Sequence, residues 1–206
     1  NYVRDDRNLY TVDLICHGSP SVKILQHARS EIYLDLRYLD VALSALKPQA
    51  MEGLETMATD GESLFFSAGQ VIRVFRNNPA FMNRAYLHTI LHCIFSHLFL
   101  KGNRDTKLWN LACDIVVEQT IDGMDKPCTR RALSFLRQQT YAALKSEGRI
   151  SAAVVYRWLR GKSMEELLTL NHEFYTDDHR FWKEESGNGA ASAARNKWNK
   201  IARQTS

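Results

Sequence analysis

Between Ala85 and Leu100 the chain carries no charged residue, yet it holds three histidines, His88, His92 and His97. A segment this apolar, opened by Pro79, predicts a helix running to about Leu100 and buried on nearly all sides. It is too short to span a bilayer comfortably, and three imidazoles would be costly there. Residues four apart share a helix face, so His88 and His92 project side by side. Two imidazoles at that spacing can chelate one zinc ion, which is the logic of the H-E-x-x-H helix. His97 falls about 140° around the helix from His92, at about 100° per residue, and is expected to be structural or surface-facing.

Asp105 can cap a following helix from Thr106 to about Ile121. Leu108, Leu111, Ile115, Val116 and Val117 make it a core helix, and Asn110, Asp114 and Glu118 repeat every four residues as one polar stripe. Carboxylates on such a helix are costly unless something pairs with them. A metal shared with the two histidines would satisfy Asp114. Backbone amides, or an arginine such as Arg84 or Arg104, would do so too, and a buried His pair can equally be core residues with hydrogen-bonded rings. Cys93 and Cys113 read as small hydrophobes. His172 and His179 lie near Asp177 and Asp178, where a solvated turn is the expectation ahead of a place in the site.

Catalysis is less well provided for. A zinc peptidase needs a general base beside the metal-bound water, supplied by the Glu after the first His. That position holds Thr89, whose hydroxyl cannot take up a proton at neutral pH. Glu118, one turn beyond Asp114, is the one nearby candidate base. It can instead be a second metal ligand or a partner that orients a histidine.

The composition fits one domain with appendages: 206 residues, 45% hydrophobic and 24% charged. The net charge of +4 is spread along the chain with no dense basic run, which argues against nucleic acid as a partner. Cys16, Cys93, Cys113 and Cys128 form no CxxC pair, as expected of reduced thiols. Residues 1–8 are charged and lack the apolar core of a signal peptide. The expectation is a soluble, cytoplasmic protein without a membrane partner.

Along the chain, Leu9–Ile15 alternates like a strand and His17–Pro20 reads as a turn. Ile32, Leu36, Leu39, Leu43 and Leu46 predict one helix over 31–46, stopped by Pro48. A turn at Asp60-Gly61 precedes a short strand at 63–66, and a helix is predicted over 68–76. Further helices are expected at 129–145, from a Ser151 cap to Leu159, and from a capping box at Ser163 and Glu166. Small polar residues over 186–194 read as a linker, and 194–202 as the start of a helix without a partner, cut from something longer. The expected architecture is mainly α with a small β-hairpin or short sheet. Residues 1–28 are assigned to an N-terminal extension, 29–185 to the domain, and 186–206 to a linker and the start of a truncated C-terminal region.

Five stretches, EIYLDLRYLDVALSAL from Glu31, Thr59-Asp60-Gly61, YLHTILHCIFSHLF from Tyr86, LWNLACDIVVEQTI from Leu108, and Asp177-Asp178-His179, carry a likeness. In them the chain resembles a family called "putative metallopeptidase domain", which usually precedes a von Willebrand factor A-like domain in bacterial proteins. The resemblance implies a zincin-like fold, zinc as cofactor, and His88, His92 and Asp114 at the ligand positions. It also implies a protein or peptide substrate and a partnership with MoxR-type AAA+ ATPases. Thr89 departs from the family's Glu, and no D-x-S-x-S motif of a von Willebrand A domain appears. Hydrolysis therefore has a rival, a catalytically inactive scaffold within an ATPase-linked complex.

Overall fold

The computed structural model describes residues 18–148, 150–182 and 189–205. Cys16, the strand expected at Leu9–Ile15 and the start of the His17–Pro20 turn lie outside the described residues.

Helix α1 spans Pro20–Asp35, with Ser19 accepting a hydrogen bond from the Val22 N–H and Pro20 in the first turn, so it begins well before residue 31. The single helix expected over 31–46 is three shorter pieces. The chain breaks at Leu36 (φ −134°, ψ 59°), makes a 3₁₀ turn at Arg37–Leu39 and a short helix α2 at Asp40–Leu43. Ile32, Leu36, Leu39, Leu43 and Leu46 are nonetheless all buried. Spacings of three and four suit a 3₁₀ turn as well as an α-helix, so the pattern fixed burial without fixing continuity.

Three strands follow: β1 (Lys47–Ala50), β2 (Ala58–Thr59) and β3 (Ser63–Phe66), in the order β1-β3-β2. β1 is parallel to β3 and β2 antiparallel to it. Pro48, which has no N–H to donate, sits on the edge strand where that lack is tolerated. Thr59 and Asp60 hold the turn between β2 and β3, with Asp60 Oδ1 accepting from the N–H groups of Glu62 and Ser63.

Helix α3 (Ala68–Asn77) leads into α4 (Pro79–Ile94), whose N-cap is Asn78. Every residue of α4 from Met82 to Cys93 is buried. Its neighbours are α1, α2, α3, α5 (Thr106–Met124, capped by Asp105) and the last helix, α9 (Gly189–Gln204). The second face of α5 packs on α7 (Ala152–Leu159) and α8 (Met164–Phe174), while α6 (Phe135–Lys145) lies against α8. The expected helix over 129–145 therefore starts later, after a 3₁₀ turn at Pro127–Thr129. The Ser151 cap and the Ser163/Glu166 capping box both form.

Part of the expected linker is helical. From Gly189 the chain forms α9, and this helix does have a partner: Trp198 is fully buried and its indole N–H donates to the Gly61 carbonyl at 2.7 Å. No helix among the described residues is long and apolar enough to cross a membrane.

Candidate metal centre

The seam between α4 and α5 is where polar groups enter an apolar interior. His88 and His92 of α4 bring their Nε2 atoms to 2.8 Å from each other. Asp114 of α5 places Oδ1 3.4 Å from the first and 3.2 Å from the second. The expected face-to-face arrangement of the two polar stripes is thus present.

A third side comes from the segment after α8. Asp178 donates its backbone N–H to the Met57 carbonyl at 2.8 Å and forms a bridge with Ala58, extending the free edge of β2. In extended chain alternate side chains share a side, so Asp177 and His179 turn inward while Asp178 turns out to Arg180. Asp177 Oδ1 lies 3.5 Å from His88 Nε2 and 3.7 Å from His92 Nε2. One ligand atom from each of His88, His92, Asp114 and Asp177 lies within 4.8 Å of the others, and all four residues are at most 1% exposed. The solvated turn expected at 177–179 is therefore corrected: Asp177 is fully buried, and the His179 side chain is 5% exposed. His172, by contrast, is exposed on the last turn of α8.

Around these donors sits a layer that sets their orientation. His88 Nδ1 is 2.9 Å from Glu118 Oε1, and a carboxylate only accepts, so Nδ1 carries a proton and Nε2 is the nitrogen that faces the site. The other Glu118 oxygen, Oε2, accepts from Arg84 (2.7 and 2.9 Å) and from Arg137 (2.6 Å). These arginines also reach Asp122, at 2.6 and 3.1 Å, and Arg137 pairs with Glu173 at 2.6 Å. Arg84 thus serves Glu118 and not Asp114, and Arg104 bonds the carbonyls of Leu100 and Lys101.

His97 is not where a continuous helix would put it. Helix α4 ends at Ile94, and Ser96 takes the left-handed conformation (φ 60°) before a 3₁₀ turn at His97–Phe99. The reversal swings His97 back, so that its Nδ1 stands 3.0 Å from His92 Nδ1. It is therefore buried against His92 and does not face the surface. With His92 as donor in that pair, its Nε2 is left open toward Asp114 and Asp177. Trp182 closes the same side, its ring 4.9 Å from that of His92 and 4.1 Å from that of His179.

Ionisation follows the crowding. Burial by itself would lower the His88 pKa, but the carboxylates of Asp177, Asp114 and Glu118 outweigh it and hold the ring well above the ordinary value. The same competition, burial against Asp114 and Asp177, pushes His179 up to about 10. For His97 burial, seconded by the neighbouring His92, outweighs the pull of Asp114 and holds the ring well below the ordinary value. Burial opposes charge on Asp114 and Glu118, yet the neighbouring cations hold both carboxyls below their usual range, His179 leading for Asp114 and His88 for Glu118.

A metal ion fits this donor set on an observation of its own. Asp114 Oδ1 and Asp177 Oδ1 are buried and make no directed hydrogen bond, although each lies near imidazole nitrogens. Buried carboxylate oxygens are almost always satisfied. Two carboxylate oxygens and two imidazole nitrogens are a donor set that can hold a divalent metal ion. Sequence reasoning brought together His88, His92, Asp114 and Glu118. It weighed Asp177 and His179 in the Asp-Asp-His run without placing them in the site, and nothing in the periodicity marked Arg84, Arg137 or Trp182 as parts of it.

No curated protein and no solved structure matches the chain. The family match is extensive, covering residues 21–205, and so takes in α1 through α9 and every residue of the centre. The chain belongs to the family described as "Putative metallopeptidase domain".

Proposed function

We propose that this domain is zincin-like and binds one zinc ion through His88, His92 and Asp114, with Asp177 as a fourth donor, and that the metal serves chiefly to organise the domain. The observation that carries this reading is the pair of buried carboxylate oxygens, Asp114 Oδ1 and Asp177 Oδ1, gathered with two imidazole Nε2 atoms at 3.2–3.7 Å. Four protein donors are what a closed structural zinc site requires, whereas a catalytic site keeps a position open for water.

The residues beside the donors favour the same reading. Thr89 stands where a base is needed, and its hydroxyl bonds the Ala85 carbonyl and Asp177 Oδ2. Glu118, the candidate base, has one oxygen on His88 and the other on two guanidinium groups, which suits it to orienting His88. Such a domain acts as a scaffold, and the resemblance supplies its partners, an AAA+ ATPase of the MoxR type and a von Willebrand A-like domain. Metal-dependent peptide hydrolysis is the second reading, favoured by the family description. A zinc ion would then supply polarisation of the scissile carbonyl and activation of water.

Metal content by plasma mass spectrometry, on the chain and on His92→Ala, tests the first step. About one zinc per chain, lost in the variant, is expected; no zinc in either after metal is added back refutes it. Hydrolysis of unfolded casein by the loaded chain, abolished in His88→Ala, would replace the scaffold reading with the peptidase one.

A further inference from the structure

We infer that the hollow between the His97–Phe99 turn, α5 and the start of α7 is a binding site for a small apolar carboxylate, a molecule with an aromatic or aliphatic body and one anionic group. The site makes no use of the metal and is independent of the zinc reading above.

The hollow has a volume of about 530 Å³, a size ordinary for small-molecule sites, and Phe95, Leu100, Trp109, Val116 and Ile150 give it largely apolar walls. Among the described residues no aspartate or glutamate lines it. Two of its polar groups are already engaged: the Trp109 indole N–H donates to the His97 carbonyl at 3.2 Å, and the Thr120 hydroxyl to the Val116 carbonyl at 2.8 Å. Asp105, next to Arg104 in sequence, is occupied at the cap of α5, where it accepts from the Leu108 N–H.

Three sets of donors remain. His97 lines the hollow and is 3% exposed. Its Nδ1 is taken by His92, and with His92 as donor there the His97 proton sits on Nε2, across the ring. Nε2 has no partner among the described residues and is not among the fully enclosed polar atoms, so its N–H opens on the space that the ring lines. Arg104 uses Nη1 on the carbonyls of Leu100 and Lys101, both at 2.9 Å, and its guanidinium lies 4.8 Å from the centre of the Trp109 ring. Its Nε and Nη2 are left without an acceptor among the described residues. At the rim, the Val154 N–H goes to Ser151 Oγ and the Val155 N–H to the Ser151 carbonyl. The N–H groups of Ala152 and Ala153 ahead of them stay open, with no acidic residue in that first turn to compete. A guanidinium, an imidazole N–H and a helix N-terminus, set in apolar walls that hold no anion, are complementary to a carboxylate on an apolar body.

The probe is phenylpropionate, with phenylpropionamide, uncharged and of the same shape, as its control. Each is titrated into the isotope-labelled full chain and followed by NMR. Saturable shifts are expected at Arg104 and over residues 150–153, with the amide bound about 10-fold or more weaker because it forfeits the charge-assisted hydrogen bonds. Arg104→Gln should still take up the aromatic body but bind the two probes more nearly alike. Ala153→Trp should fill the hollow and abolish binding of both, a circular dichroism melt showing that the variant folds. The absence of saturable shifts at these residues, or equal affinity for the two probes in the unsubstituted chain, overturns the site. So does a carboxylate preference undiminished in Arg104→Gln, or binding undiminished in a folded Ala153→Trp. Zinc content is measured separately, so failure of either reading leaves the other standing.

Discussion

Replacing Glu118 by glutamine changes one atom and should disturb the centre at two levels. In the native arrangement Oε2 accepts three N–H groups from Arg84 and Arg137, and Oε1 accepts the His88 Nδ1 proton. A glutamine amide has one acceptor oxygen for these two sides. If the amide nitrogen faces the arginines, donors face donors among residues at most 2% exposed. If it faces His88, the imidazole must move its proton to Nε2, where it points at Asp114 and Asp177 and blocks metal binding. Removing one member of a buried ion network typically costs about 3–5 kcal/mol. Asp122 and Glu173 remain to pair the arginines, which places Glu118→Gln near about 3 kcal/mol on that scale. For a domain of this size each kcal/mol moves the midpoint by about 2–4 °C, giving a fall of about 6–12 °C. Zinc affinity should drop about 10–100-fold through the tautomer of His88. Thermal melts followed by circular dichroism and chelator competition measure the two effects. A melting point within about 2 °C of the parent, with zinc affinity unchanged, would refute the positioning role of Glu118.

Three further outcomes follow from the same geometry. Thr89→Val removes the hydroxyl that donates to Asp177 Oδ2 at 3.2 Å and should cost the metal-free chain about 1–3 kcal/mol in urea denaturation; no change would mean that this contact carries no weight. In the metal-free chain the His179 pKa lies near 10 against an ordinary 6.5. A raised pKa gives stability that is complete below 6.5 and fades as pH climbs toward 10. The chelator-treated chain should therefore melt lower at pH 9 than at pH 6. The zinc-loaded chain should lose less, because an ion on Asp114 and Asp177 offsets the negative charge that raises the His179 pKa, and parallel pH profiles of the two forms would contradict this. Trp198→Ala empties a fully buried site and deletes the bond to the Gly61 carbonyl. It should cost about 3–5 kcal/mol and expose α9 to limited proteolysis; an equally resistant α9 would show that Trp198 does not fasten it.

Much of the centre was readable because it sits on helices. A four-residue interval fixes a shared face, so His88 with His92 and Asp114 with Glu118 could be paired from spacing alone. Two kinds of information were out of reach. The left-handed turn at Ser96 broke the angular reckoning for His97, since a position six residues short of the expected helix end changes every later side chain's direction. The place of Asp177 and His179 depends on a strand-edge bridge to Ala58, a contact between segments far apart in sequence that no local pattern encodes. The same holds for α9: its apolar residues Ala194, Trp198 and Ile201 fit a helix, but only tertiary packing shows that it docks on α4.

The segment carrying Asp177 also bears on the order in which the chain folds. Thr89 and Asp177, which bond each other, are 88 positions apart. Bringing such distant points together costs a free chain about 4 kcal/mol in closure entropy, beyond a length-independent constant. The adjacent helices α4 and α5 face a smaller search and can offer His88, His92 and Asp114 to an ion first. Asp177 would then arrive at an already occupied triad, and metal capture would hold in place a contact that forms after the helix pair. Zinc present during refolding should accordingly leave the early helical phase unchanged and accelerate the late one.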